Sequence, residues 1–147
     1  MAKQKSGRIL SIDIGDKWLG IAVSDPLRLI ASPVTAIRCE TEDELIKAVG
    51  NFIEEYDAGL LVIGFPRSLD GSTGPQALKI QKLSQIIQEK LKVPIVNQDE
   101  RYSTSRAKEI LAGKKTRSRT ANIRDDAIAA ALILEDYLKS IGPSGQS

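Results

Sequence analysis

The sequence predicts an α/β fold, a mixed five-stranded sheet flanked by helices, and three stretches carry that prediction. Two apolar segments, Arg8 to Ile14 and Trp18 to Val23, stand at hairpin spacing around the turn Gly15-Asp16-Lys17. Gly59 to Gly64 is a continuous apolar run of the kind found in strands covered on both faces. A helical pattern and a short apolar segment follow it, so residues 59–97 form one strand-helix-strand unit, and such units join parallel strands by a right-handed crossover.

In chain order, the first two strands are expected to pair antiparallel. Ser24-Asp25-Pro26 is a turn signal, after which Leu29 to Ile37 reads as a third strand in which Pro33 marks an edge or a bulge. Thr41-Glu42-Asp43-Glu44 is a capping box, and Leu45, Val49, Phe52 and Tyr56 then recur at helical spacing with Ile46 and Ile53 alongside. The central strand leads to a loop, Phe65 to Gly74. Pro75 suits the first turn of a second helix carrying Ile80, Leu83, Ile87 and Leu91. Pro94 to Asn97 is a short fifth strand, and Ser105 to Leu111 a short helix ended by Gly113. Asn122 to Lys139 is a last helix, apolar nearly all round over residues 127–134 and therefore expected to be buried.

The 147 residues are most simply one domain, residues 1–140, with residues 141–147 as a disordered tail. A formal charge of +2 is too small to argue for a polyanionic partner, so the distribution of charge has to make that case. Histidine is absent, which removes histidine-based nucleophile activation and histidine-bound zinc and leaves acid-base work to carboxylates, lysine or metal-bound water. A single cysteine, Cys39, excludes an intramolecular disulfide and is expected to pack near a strand end. The basic amino terminus runs into apolar residues broken by Asp13 and Asp16, which is no signal peptide, and no stretch reaches the ~18 apolar residues of a membrane span. A cytoplasmic protein is expected.

The acids are the informative residues. Asp13 interrupts an apolar strand, and a carboxylate withdrawn from water without a partner is costly or gives up its charge. If the first strand lies parallel to the fourth and fifth, Asp13, the 65–74 loop and Asp99-Glu100 all reach the carboxyl edge of the sheet, where open α/β sheets place ligands. A last helix laid across the sheet would bring Asp126 there too. Asp126 is aligned with Ala130 and Ile133 on a helix expected to be buried, which favours it as a ligand. Asp125 is accounted for as negative charge at a helix start, with Asn122 as a cap. The residues leave Glu100 open between a ligand and half of a surface ion pair with Arg101. Three clustered carboxylates repel unless a divalent cation sits among them, and hard oxygen donors suit magnesium or manganese.

Lys114-Lys115-Thr116-Arg117-Ser118-Arg119 is the one dense basic run, and it reads equally as a solvated loop or as a phosphate contact giving salt-dependent affinity. Arg101 with the hydroxyls of Ser103 and Thr104 is suited to hold a phosphate close to Glu100, and Lys17 is a similar candidate beside Asp13. Aromatic residues make up 4% of the chain, too few for an evident stacking platform, so recognition of backbone shape is expected over base readout.

Four blocks now combine: Ile12-Asp13-Ile14-Gly15 with Gly20 to Pro26; Val62 to Pro66 with Asp70-Gly71-Ser72; Asp99 to Thr104; and Asp126 through Ala130 to Ile133-Leu134 and Tyr137-Leu138. In their order and spacing the sequence resembles the YqgF family, the Holliday-junction-resolvase-like proteins of bacteria, from Arg8 to Leu138. The resemblance implies a ribonuclease H-like fold, with Asp13, Glu100 and Asp126 as an acidic, metal-holding triad. It implies a nuclease maturing the 5′ end of pre-16S ribosomal RNA, with resolution of branched DNA as the alternative. Phosphodiester hydrolysis would then use an activated water and one or two cations, Asp13 bridging them. Trp18 stands where family members more often carry a basic residue, so no phosphate contact carries over to that position. Two rivals stand beside this reading: a non-catalytic RNA-binding assembly factor that keeps the fold, and an actin-like ATPase or sugar kinase, whose two-domain closure exceeds this chain's length. An exposed edge at the third strand permits a homodimer.

Overall fold

The computed structural model describes residues 7–65, 74–99 and 125–145. The expected helix at Ser105 to Leu111 and the candidate residues Glu100, Arg101, Ser103, Thr104, Lys114, Lys115, Arg117 and Arg119 lie outside them. In chain order the elements are β1 (Arg8–Ile14), β2 (Trp18–Ser24), β3 (Ala31–Arg38), α1 (Glu42–Glu55), β4 (Ala58–Phe65), α2 (Pro75–Leu91), β5 (Ile95–Asp99) and α3 (Asp125–Gly145). The sheet order is β3-β2-β1-β4-β5. β1, β2 and β3 form an antiparallel meander, whereas β4 runs parallel to both β1 and β5. β1, not β4, is the middle strand. β4 is interior, between β1 and the edge strand β5, and because helices cover both of its faces its unbroken apolar run is still buried, with Leu61, Val62 and Ile63 at 0% exposure.

Alternation along the strands sorts the core into two layers. Leu10, Ile12 and Ile14 of β1 pack with Leu19 and Ile21 of β2, Leu61 and Ile63 of β4, and the inner faces of α1 (Leu45, Ile46, Val49) and α2 (Ile80, Leu83, Ile87). The opposite face, through Ile9 and Val62, packs on Ile133 and Leu134 of α3. Helices thus cover both faces, and α3 lies across the sheet as its buried run predicts. No helix among the described residues is long and apolar enough to cross a membrane.

Local chemistry sets the element ends. Thr41 caps α1, its hydroxyl accepting from the Glu44 amide at 3.1 Å, while the Glu44 carboxylate accepts from the Glu40 amide, one residue before the cap. Cys39 is buried directly after β3, where burial and then the charge of Glu44 push its thiol up. β3 begins at Ala31, later than the apolar Leu29 and Ile30 predict. The Asp25 carboxylate accepts from both of their amides at 2.7 Å and holds them in the turn, and these bonds, Ile30 first, keep its pKa low. Pro33 sits at the predicted irregularity: the pairing jumps from Ile21↔Thr35 to Ala22↔Pro33 on this edge strand. α3 runs on to Gly145, through residues expected to be tail. Glycine and proline lower helix propensity, but a helix already nucleated by the buried run before them can propagate into its last turn.

Gly7 enters β1 at φ +87°, and a side chain there would come within 3.0 Å of the Gly59 backbone, where the β1–β4 register shifts. Gly7→Ala combines left-handed strain with that overlap and should cost roughly 1–3 kcal/mol of stability, read as a lowered urea midpoint. An unchanged midpoint would mean that the entry to β1 relaxes freely.

Candidate active site

Asp13 is the penultimate residue of β1 and is paired in register with Gly20 of β2. Because Leu10, Ile12 and Ile14 face α1 and α2, strand alternation turns Ile9, Ser11 and Asp13 toward α3. Two interactions fix α3 on that face. The fully buried Ser11 hydroxyl donates to the Ala130 carbonyl at 2.9 Å, and Gly20 lets the Asp126 carbonyl lie directly on β2, in space that any Cβ would fill. Asp126 is one helical turn before Ala130, just as Asp13 is two strand residues after Ser11. Ser11 with Ala130 and Asp13 with Asp126 are therefore successive rungs of one strand-helix interface.

The electrostatics follow from that placement. Burial, and then the negative charge of Asp126, raise the Asp13 pKa from 3.8 to about 6. Both influences oppose ionisation. A half-buried carboxylate facing a second carboxylate is a donor set that a hard divalent cation would satisfy, and these two residues fit such an ion. Asp125, the neighbouring acid, is exposed at the start of α3, in keeping with a helix-end charge.

Asp13 and Asp126 are thus brought together from the two ends of the sequence. Among the described residues they are not joined by a third acid to make a three-ligand group; Glu100, the remaining candidate, follows Asp99, the last residue of β5. Lys17 is exposed in the β1–β2 turn, its carbonyl accepting from the Cys39 amide at 2.8 Å. The Gln76 side chain, in the first turn of α2, donates to the Ile14 carbonyl at 3.3 Å and ties α2 to the same sheet edge. A cleft of about 350 Å³ lined by Gly7, Arg8, Pro26, Glu55, Tyr56 and Asp57 opens at the opposite end of β1 and contains none of the predicted residues.

Sequence reasoning missed Ser11, Gly20 and Gln76. Two of these carried a signal: Ser11 is a polar residue on the same strand face as Asp13, and a glycine inside an apolar strand marks a close backbone approach. Gln76 carried none.

A family model described as RuvX: Holliday junction resolvase matches residues 7–140. A protein of Dehalococcoides mccartyi named "Putative pre-16S rRNA nuclease" is 40% identical over 130 residues, covering 88% of this chain and 96% of its own. A Roseiflexus protein of the same name is 34% identical over 134 residues, covering 91% and 95%. Among solved structures, T. thermophilus RuvC in complex with a Holliday junction substrate superposes with a TM-score of 0.61 at 12% identity, over 92% of this chain and 97% of that one. The fold is that of RuvC, ribonuclease H-like, as the family resemblance implies.

Proposed function

Because the chain belongs to the RuvX family, we propose that it is a metal-dependent nuclease that hydrolyses phosphodiester bonds and processes the 5′ end of pre-16S rRNA in the cytoplasm. The observation that carries this reading is the meeting of Asp13 and Asp126 at the carboxyl edge of the sheet, where burial and then the charge of Asp126 oppose ionisation of Asp13. Asp13, Asp126 and Glu100 are the residues that would hold magnesium or manganese. When bound, such a cation supplies positive charge at the scissile phosphate and makes water a stronger acid.

The chain's own contribution is preorganisation. β1 and α3 hold the two carboxylates on a packed frame, so little reorganisation is needed when charge develops at the phosphate. Lys17, Arg101, Ser103 and Thr104 are assigned to phosphates flanking the cut. Lys114, Lys115, Arg117 and Arg119 are assigned to backbone further along the strand.

Resolution of branched DNA is the second reading, favoured by the family's description and by the junction-bound RuvC neighbour. Purified protein with magnesium or manganese, incubated with a 5′-extended ribosomal RNA precursor and in parallel with a four-way DNA junction, separates the two. RNA cutting that chelator removes supports the first reading, and junction cutting alone supports the second. Cutting of neither, with RNA affinity retained, would leave an assembly factor.

Neutralising Lys114, Lys115, Arg117 and Arg119 together should weaken substrate binding and flatten its salt dependence, by up to about 0.7 in the logarithmic slope for each single-strand phosphate that the run neutralises. An unchanged slope would return the run to a solvated loop.

A further inference from the structure

Building on the metal-dependent reading of this site, we infer that Ser11 and Gly20 are positioning residues that set the spacing of the Asp13 and Asp126 carboxylates and thereby the preference among divalent cations. Each is locally expensive. A buried hydroxyl costs stability unless it is bonded, and glycine inside a strand gives up both packing and propensity. Alanine would serve a merely apolar interface at residue 11, and at residue 20 any side chain would hold α3 further from the sheet than it lies. Yet both residues act on the same turn of α3, residues 126–130, and both flank Asp13, one as its strand neighbour and one as its cross-strand partner.

The kinds of packing differ along the helix. Further on, Ile133 and Leu134 meet Ile9 and Val62 through apolar surfaces, which tolerate small slides. At the acids the helix is instead held by a hydrogen bond of defined length and by backbone seated against backbone. Cation choice depends on small distances: oxygen donors stand about 2.0–2.1 Å from magnesium and about 2.3–2.6 Å from calcium. A Cβ at residue 20 would push Asp126 away from the sheet and open the site toward the larger ion.

The test is calorimetric titration of the full chain with magnesium, manganese and calcium, on variants confirmed folded by circular dichroism. Gly20→Ala should weaken manganese binding about tenfold while changing calcium binding less, so that the manganese-to-calcium preference falls. Ser11→Ala, which adds no volume and so guards against a misfolded Gly20→Ala, should shift the preference in the same direction. Ile133→Val, which thins the same helix-sheet interface beyond the acids, should lower thermal stability and leave the preference unchanged. A preference that stays constant in both Gly20→Ala and Ser11→Ala, or that moves as far in Ile133→Val, would overturn the inference. Asp13→Asn serves as the reference. If it abolishes manganese binding while Gly20→Ala and Ser11→Ala do not alter the preference, the metal site stands and the positioning role falls. If binding survives Asp13→Asn, both fall.

Discussion

Asp13→Asn should make the metal-free protein more stable above pH 6 and at the same time abolish cleavage. Burial and the charge of Asp126 hold the Asp13 carboxyl at a pKa of about 6 against its ordinary 3.8. Below the lower value the group is protonated in the folded and the unfolded chain alike and has no effect. As pH rises from 3.8 toward 6 the unfolded chain releases its proton first, so stability falls. Above pH 6 the whole difference is in place, on the order of 3 kcal/mol. Asparagine cannot ionise, so in chelator the variant should unfold at a higher urea concentration than the parent at about pH 8 and at the same concentration near pH 3.5.

Activity should move the other way, falling by at least about 10²- to 10³-fold, the effect of removing one preorganised charged group. Magnesium or manganese should raise the parent's urea midpoint, because an ion that binds only the folded state stabilises it, and leave the variant's where it is. A replacement that stabilises and inactivates marks a position kept for chemistry. A variant that cuts as fast as the parent would remove Asp13 from the site. Equal midpoints at pH 8 would mean that its carboxylate is well solvated.

Asp13 was legible in the sequence for the same reason that it is unstable in the structure. It is the one ionisable residue in a stretch that otherwise fills the core from Ile9 to Ile14, and no local backbone preference explains an acid there. Asp126 was legible by a weaker version of the same argument, an acid on the stripe of a helix whose other residues are apolar. The burial of β4 and the presence of α1 and α2 were equally open to reading, because an unbroken apolar run, a Thr-x-x-Glu cap and a proline at a helix start are each local signals, although the run did not show that β1 would be the middle strand. The docking of α3 had only a partial signal, since a polar Ser11 and a glycine inside a strand mark a close approach without showing what approaches. It rests on a hydroxyl and a carbonyl 119 residues apart and on one glycine, and periodicity shows which face of a helix is apolar without showing where along a strand that face will sit. The start of β3 was misjudged because Leu29 and Ile30 look like strand residues, whereas the Asp25 side chain takes their amides. Residues with strand propensity yield to a side chain that satisfies two backbone donors at once.

Asp126→Asn separates the two roles open to an acid in the first turn of a helix. As a charge on the helix dipole alone, it would be stabilising, and asparagine would cost about 0.3–1 kcal/mol at every pH where the carboxylate is ionised. As the carboxylate opposing Asp13, it raises its neighbour's pKa, and asparagine would relieve that repulsion and stabilise the metal-free chain above pH 6. The two roles predict opposite signs. The gain should be smaller than in Asp13→Asn, because burial, the larger influence on Asp13, is untouched by the exchange. The Asp13 carboxyl, followed by carbon-detected NMR titration, should accordingly settle between 3.8 and about 6 in Asp126→Asn. Combining the two replacements should yield less than the sum of their separate gains, since the repulsion can be removed only once. Cleavage and protection by metal should be lost in Asp126→Asn as they are in Asp13→Asn. A variant that is destabilised at pH 8, still protected by manganese and still active would make Asp126 a helix-end charge and leave Asp13 to meet its cation with other donors.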